Sequence, residues 1–576
     1  MANYQIKRIF YSLLIGFFFS VLTACPMADP EDEPYNPEDD EPYGQKGALM
    51  PFVTYEAENA FYTGEKLSGK TYRTPEGEAS GKAAVRLTGY GQYVEFTLTE
   101  PANALVFRYA MPDTDGRGQW GTLNIYANGS EILEVITSSR HAAIYGSWPY
   151  TNAQVPNRRI RFYDDARLLL GETYPAGTKI TIKKEDDVDW YVIDLAEFET
   201  APEPLSQPAN SVSITDYGAV GDGIYNCRTA LSNAVNTAKS AGKSVWIPPG
   251  TFRMDGTGNI NVNGVKIYGA GIWHSNLTGG PYFRVSGVNN HFKDFSILGD
   301  VTERVDSNRH CGFEPHNTTG DLYENLWIEH TKCGFWAVNI RNAVIRNNRI
   351  RNIFADGINL ASNSGNNLIE NNDLRNTGDD GIAINSENGN HNTNNTVYKN
   401  TVRLTYHASL LAVYGGGGNI LRSNLLCDTI AFGSAINISS RFNPQGYSGT
   451  TAVSGNIAYR TGSSAVNTEL NKTNGAIWVV AWDKDFGGGT INITGNRLID
   501  CLNDGITIDG RNAVNNSVNF INNSIEGANG YGVLIHSGNV TGSAKFNYTS
   551  VKDASSGVFR NNRGSLFRVS GSENSW

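Results

Sequence analysis

Two stretches decide the fold: VIRNNRIRNIFADGINL (residues 344–360) and LIENNDLRNTGDDGIAI (residues 368–384). Set one under the other at an offset of 24, they agree at Ile345/Ile369, Asn347/Asn371, Asn348/Asn372, Arg351/Arg375, Asn352/Asn376, Asp356/Asp380, Gly357/Gly381 and Ile358/Ile382. Looser copies follow at residues 396–413, 491–508 and 518–535. A period in the twenties, built of short β runs and Asn/Gly turns, predicts a right-handed parallel β-helix with one coil per repeat. Each coil buries its apolar residues against its neighbours. Asn at a fixed turn position is expected to ladder along the stack and satisfy backbone groups.

Equivalent residues on successive coils lie about 4.8 Å apart. The repeat therefore stacks Asp356 beside Asp380, and Asp379 adds a third carboxylate. Ile358, Leu360, Ile382 and Ile384 are expected to point inward. Strict alternation would drag Asp356 and Asp380 inward with them, at a prohibitive desolvation cost. A bend at Gly357 and Gly381 is therefore expected, turning both acids outward. The motif itself contains no Lys or Arg near the acids, so crowding should raise at least one pKa. A protonated acid beside an ionised one is what glycoside cleavage requires. Asp504-Gly505 falls in the same column about four coils later, roughly 19 Å away, so an Asp-Gly turn alone carries no chemistry. Continuing the register at offset 28 aligns His407 with Asp379, either as a substrate-binding group or as a surface imidazole.

Outward from this core, the 576-residue chain is long enough for several domains. Its net charge of −10 argues against a nucleic-acid partner. Much of that charge is local: residues 26–44 carry eight acids and no base, and without them the charge is about −2. The amino terminus reads as an export signal, with Lys7 and Arg8 before an apolar run that ends Leu22-Thr23-Ala24-Cys25. That ending resembles a bacterial lipobox, which implies a lipidated Cys25, a signal peptide over 1–25 and membrane anchoring of an exported lipoprotein. Residues 26–50 then form an acidic, Pro-rich tether.

Residues 51–200 alternate apolar and polar positions between turn signals, a β-sandwich pattern. Residues 201–211 are a Pro-rich linker, and 212–576 hold the solenoid. Asn226 is placed to cap a helix running to about Lys239, which would close the open end of the stack. Cys311 and Cys333 fall one coil apart, within disulfide range or as stacked free thiols.

Several motifs together resemble glycoside hydrolase family 87, the bacterial α-1,3-glucanases and mycodextranases. They are DYGAVGDG (216–223), ADGIN (355–359), GDDGIA (378–383), NNTV (394–397) and LLAVYGG (410–416). The first unit, with YEAENA and WYVIDLAEFE, resembles a family 35-like carbohydrate-binding sandwich. The resemblance implies hydrolysis of α-1,3-glucosidic bonds in an α-glucan by an inverting mechanism. Asp379 would be the general acid, and Asp356 and Asp380 would hold the water. A fourth acid of the family has no clear match, and Glu387 is the expected substitute. The Asn-Thr-Asp, Gly-His-Gly and Arg-Ile-Lys elements of polygalacturonases are absent, which disfavours pectin. No cofactor is expected for catalysis. In the sandwich, Glu56, Glu58 and Asp194 resemble the ligands of a structural Ca²⁺, and Trp120, Trp148 and Tyr150 are candidates for stacking on sugars. A monomer is expected. The alternatives are a β-helix polysaccharide lyase, which would need a base absent from the motif, and a non-catalytic glycan-binding surface protein.

Overall fold

The structure is a computed structural model that describes residues 46–114, 118–142, 162–256, 258–466, 471–536 and 538–576. The export signal, Cys25 and nearly all of the acidic tether lie outside the described residues, as do Trp148 and Tyr150. Among the described residues, no helix is long and apolar enough to cross a membrane.

Between residues 53 and 199, the described residues form two antiparallel sheets packed face to face. One runs Glu65–Ser68, Ala83–Leu87, Tyr191–Glu199, Ala102–Ala110, Tyr163–Tyr174, with Val53–Glu56 also on Tyr191–Glu199. The other runs Phe61–Tyr62, Tyr93–Thr97, Lys179–Lys184, Trp120–Ala127, Ser130–Ser138. The alternation read from the sequence buries Val94 and Phe96 against Leu105, Phe107, Ile125 and Ile182.

The remainder is a parallel β-solenoid of about 13 turns. Among the described residues its strands form one sheet of 25 and another of 12, the repeats stacking in register. Ile358 pairs with Ile382 and Leu360 with Ile384, the 24-residue offset of the sequence. A single apolar core runs the length of the stack.

The Asn ladder is present. Asn348, Asn372, Asn400, Asn424, Asn456, Asn496 and Asn523 are linked coil to coil. In each step the Oδ1 accepts the backbone N–H and the side-chain amide of the Asn one coil earlier. The residue before each of the first two, Asn347 and Asn371, takes φ of 58° and 52°, a left-handed conformation that Asn tolerates better than most side chains. This accounts for the paired Asn-Asn in the repeat.

The capping helix spans Arg228–Ala241, beginning two residues after Asn226. The N-cap is Cys227, and Asn226 instead accepts the Arg228 N–H through Oδ1 at 3.1 Å. Leu231, Ala234, Val235 and Ala238 face the solenoid core, so the end of the stack is covered.

The sandwich is locked to the solenoid by buried charge. Glu199 grips Arg349 bidentately at 2.7 and 2.6 Å. Glu197 meets Arg375 at 2.6 Å, Arg403 at 3.2 Å and Arg351 at 3.3 Å. Asp165 completes the set on Arg375 at 2.9 Å. Burial alone would raise the Glu197 pKa, but these guanidinium groups draw it down to about 2. Arg351, Arg375 and Arg403 form one register-paired column, so part of the sequence repeat serves docking. The linker is not a free tether either. Ala201 packs with Trp273 and Trp327, and the Leu205 N–H donates to the Ala270 carbonyl.

Candidate active site

Gly357 and Gly381 are bends, and they are glycine for lack of room. A Cβ on Gly357 would meet the Gly381 carbonyl oxygen and Leu374, both at 2.6 Å. A Cβ on Gly381 would meet the Leu410 carbonyl oxygen at 2.6 Å. Because the glycine and the following Ile both face the core, alternation breaks at the bend and the preceding Asp is turned outward. Cys311, Cys333, Asp356 and Asp380 consequently continue one column on successive coils. The Gly357 N–H bonds to the Asp380 carbonyl at 3.0 Å, and Phe313 pairs with Phe335. Cys311 and Cys333 are buried free thiols that hydrogen-bond each other.

Asp356, Asp379 and Asp380 each bring an oxygen within 4.8 Å of the others. Asp356 and Asp380 are recessed, at 7% and 4% exposure, whereas the Asp379 side chain is 29% exposed. Each acid has a different anchor. Asp380 accepts the Ser409 N–H on Oδ1 at 2.8 Å and the Tyr414 hydroxyl on Oδ2 at 2.7 Å. Asp356 takes a side-chain hydrogen bond from Asn359. Asp379 pairs with Arg304 at 2.7 Å.

These environments set the protons. Burial, then the charges of Asp379 and Asp380, push Asp356 well above the usual carboxylate range. Burial and Asp379 push Asp380 up to about 7, against the hydrogen bonds of Tyr414 and Ser409. Burial also acts on Asp379, but Arg304 outweighs it and holds that carboxyl low. In the free protein the proton therefore sits on the recessed pair, not on Asp379. Arg304 lies 75 residues from Asp379, outside any motif, and no pattern in the sequence points to it.

His407 keeps the expected offset of 28: its N–H donates to the Gly378 carbonyl at 3.2 Å, which sets it beside Asp379 on the next coil. Past His407 the offset becomes 29, with Ile382 paired to Leu411, so Ser409 stands beside Asp380. His407 is buried at 9% exposure, with its ring stacked on Phe432. Burial draws its pKa down to about 3, so it is a neutral wall residue. Glu387 does not join the acids. It follows the strand Ile382–Asn385, while Asp380 precedes that strand. Seven residues of extended chain, on the order of 20 Å, separate the two.

A scan against family models matches residues 49–201 to "Alpha-1,3-glucanase catalytic domain D1" and residues 225–576 to "Alpha-1,3-glucanase catalytic domain D2". Among solved structures, the catalytic unit of a thermostable family 87 α-1,3-glucanase from Streptomyces thermodiastaticus strain HF3-3 is 33% identical. The match covers 92% of this chain and 97% of that one, with a TM-score of 0.82. This chain belongs to glycoside hydrolase family 87. A family 87 α-1,3-glucanase catalytic domain in complex with nigerose is 29% identical over 92% of this chain and 100% of that one, with a TM-score of 0.80. A variant of such a domain in complex with tetrasaccharides is 28% identical over the same shares, with a TM-score of 0.82. No curated protein matches.

As a family 87 member the chain is a glycoside hydrolase with a parallel β-helix. Its sandwich matches a domain of the catalytic unit, in keeping with the buried ion pairs that fix it to the solenoid. Trp120 stands 61% exposed on the outer sheet. The carboxylates expected to hold calcium lie beside one another. Asp194 is committed to Arg108 at 2.5 Å and to the Ser80 N–H at 3.0 Å. Glu56 accepts the Ser80 hydroxyl on Oε1 at 2.8 Å. Glu56 Oε2 and Glu58 Oε2 are buried without a hydrogen-bond partner. Burial, with help from Asp194, raises Glu56 to about 8 and Glu58 to about 7. Two of the three acids thus fit a cation, while Asp194 already has a counter-charge.

Proposed function

We propose that this family 87 hydrolase cleaves α-1,3-glucosidic bonds with inversion, using Asp356, Asp379 and Asp380. The observation that carries the reading is the shape of the acid cluster: one carboxyl stands forward and two are recessed behind it. A sugar can touch Asp379 directly, whereas Asp356 and Asp380 leave space for a water. Glucan entering beside Asp379 draws Arg304 away, and a proton passes from the recessed pair to Asp379. Asp379 then protonates the glycosidic oxygen as the bond from it to the anomeric carbon breaks. The recessed pair, now ionised, takes a proton from the water that attacks the opposite face. The proton balance is restored, and the product carries the opposite anomeric configuration. The closest oxygens are nearer than the roughly 6.5–9.5 Å usual between inverting carboxyls. Inversion is therefore supported by the anchoring of Asp356 and Asp380, which keeps them from reaching the anomeric carbon, rather than by spacing. The substrate class is supported by the relatives solved with nigerose and tetrasaccharides.

Singly replacing Asp356, Asp379 and Asp380 with Asn should lower hydrolysis of α-1,3-glucan by about 10²–10⁴-fold or more, with unchanged circular dichroism. Proton NMR of the first-formed product should show the β anomer. Full activity in all three variants would sink the three-acid reading, and a first-formed α anomer would sink inversion. We also propose a structural Ca²⁺ on Glu56 and Glu58, neutralising two crowded acids in the sandwich. Chelation should then lower the thermal midpoint, and Ca²⁺ should restore it. A midpoint indifferent to both removes the ion.

A further inference from the structure

Where the sandwich meets the solenoid there is a second cluster of ligating side chains, apart from the catalytic acids. Oxygens of Asp164 and Glu329 and a ring nitrogen of His330 all lie within 4.8 Å of one another. Asp164 belongs to the sandwich strand Tyr163–Tyr174, and Glu329 ends the solenoid strand Leu322–Glu329. His330 follows directly with a left-handed φ of 52°. That break in strand alternation brings two consecutive side chains to one point. The repeat singles out the imidazole. Glu329 pairs with Arg351, so His330 occupies the position that is Asn352 and Asn376 on the next two coils. Those two take the same turn, with φ of 50° and 64°. The turn needs only an Asn, and the ring adds a nitrogen donor to it. Both carboxylates are held from outside the cluster. The Asp165 N–H donates to Asp164 Oδ1 at 2.9 Å. Asn352 Nδ2 donates to Glu329 Oε1 at 2.9 Å, and Trp327 Nε1 donates to Oε2 at 3.0 Å. Bonds of this kind orient metal ligands. The His141 ring stacks on that of His330 at 3.7 Å and closes one face. Asp164 and Glu329 are 5% and 3% exposed. Burial, with Asp165 and Asp164, holds the Glu329 carboxyl above its usual range although His330 pulls the other way.

We propose that Asp164, Glu329 and His330 bind one divalent transition-metal ion of the zinc type, which staples the sandwich to the solenoid. One imidazole nitrogen with two carboxylate oxygens is a donor set suited to zinc and its neighbours. Calcium and magnesium take shells of oxygen, so this site differs in kind from the Glu56 and Glu58 pair. The spacing is close to what the ion needs. His330 Nε2 stands 3.5 Å from Glu329 Oε1 and 2.7 Å from Asp164 Oδ1. Donors around a tetrahedral zinc lie roughly 3.4 Å apart, so Asp164 alone has to shift, by about 0.7 Å. Without the ion, Nε2 donates to Asp164, whose carboxyl His330 keeps low and ionised. On binding, that proton leaves to solvent and the nitrogen lone pair turns to the metal. The His330 side chain is 13% exposed, which gives the ion an entry and a water the fourth place. Two buried carboxylates then face a charge of two in place of the single charge an imidazolium can carry.

The test uses the full chain, stripped with a chelator and dialysed. Calorimetric titration with Zn²⁺ should show the site filling, and X-ray absorption at the zinc edge should show one imidazole nitrogen among oxygens. His330→Asn gives this coil the residue its neighbours carry, so the turn is kept while the nitrogen donor is lost. That variant and Asp164→Asn should each weaken zinc binding at least about tenfold. Asp379→Asn and Glu56→Gln, which disturb the two other acid groups, should leave the affinity unchanged. In the unsubstituted protein, Zn²⁺ at a hundredfold excess over Kd should lower the unfolding equilibrium constant about 100-fold, and in His330→Asn it should not. Zinc binding absent up to about 1 mM overturns the inference. So does an affinity unchanged in both His330→Asn and Asp164→Asn, or an absorption spectrum with oxygen ligands alone. Binding that leaves the unfolding constant unmoved overturns the staple.

Discussion

At the scale of single residues, the acids are distinguished by what anchors them. Asp380, Glu56 and Glu58 all have pKa values raised by burial, to about 7, 8 and 7. Between about pH 4 and these values the native state holds protons that the unfolded chain has released. By linkage, stability is then fullest below about pH 4 for these groups and falls as pH rises through 7 to 8. In calcium-free buffer the thermal midpoint should therefore drop over that window, and Asp380→Asn should flatten the slope. A midpoint rising from pH 5 to 8 would contradict these protonation states. Asp356 and Asp380 were legible as a pair because both belong to the repeat. Arg304, which decides where the proton rests, was not, since its loop lies outside the repeat and reaches Asp379 only in the folded chain.

At the scale of the element, the coil is held by its Asn corner. Asn400 links Asn372 on one side to Asn424 on the other, and its side-chain amide also donates to the Ile369 carbonyl. Asn400→Leu leaves several buried groups unpaired at once. It should cost about 1–3 kcal/mol for each group stranded, measured by denaturant unfolding, and a loss below about 0.5 kcal/mol would show the ladder to be ornamental. The sequence revealed this corner because the same side chain is needed on every coil. It kept His407 in step with Asp379 but gave no sign of the extra residue that follows: the corner from Arg403 to Leu411 is one residue longer than the corner from Arg375 to Ile382, which takes the offset from 28 to 29. Strand periodicity carries no information about the length of a corner.

At the scale of the whole molecule, the sandwich and solenoid form one body through charge. Glu197 faces three arginines with side chains 0–12% exposed. Glu197→Ala would remove the carboxylate they share and leave Asp165 and Asp373 alone to neutralise them, and removing one member of a buried ion network typically costs about 3–5 kcal/mol. The expected result is a lower denaturation midpoint for the entire protein. A separate early transition of the sandwich alone would argue against that coupling. From the sequence, Arg351 and Arg375 were visible as repeat matches and read only as part of the coil. Their purpose was hidden because their partners come from another fold, where no shared period exists.

That ionic seam also imposes an order in time. Glu197 is separated from Arg351, Arg375 and Arg403 by 154, 178 and 206 residues. At about 5–20 residues per second, the last guanidinium leaves the ribosome roughly 10–40 s after the carboxylate it will neutralise. Until the first of the arginines emerges, the sandwich keeps three acids facing water on the side it will later bury. The nascent first domain is thus held soluble by the same charges that afterwards fasten it down.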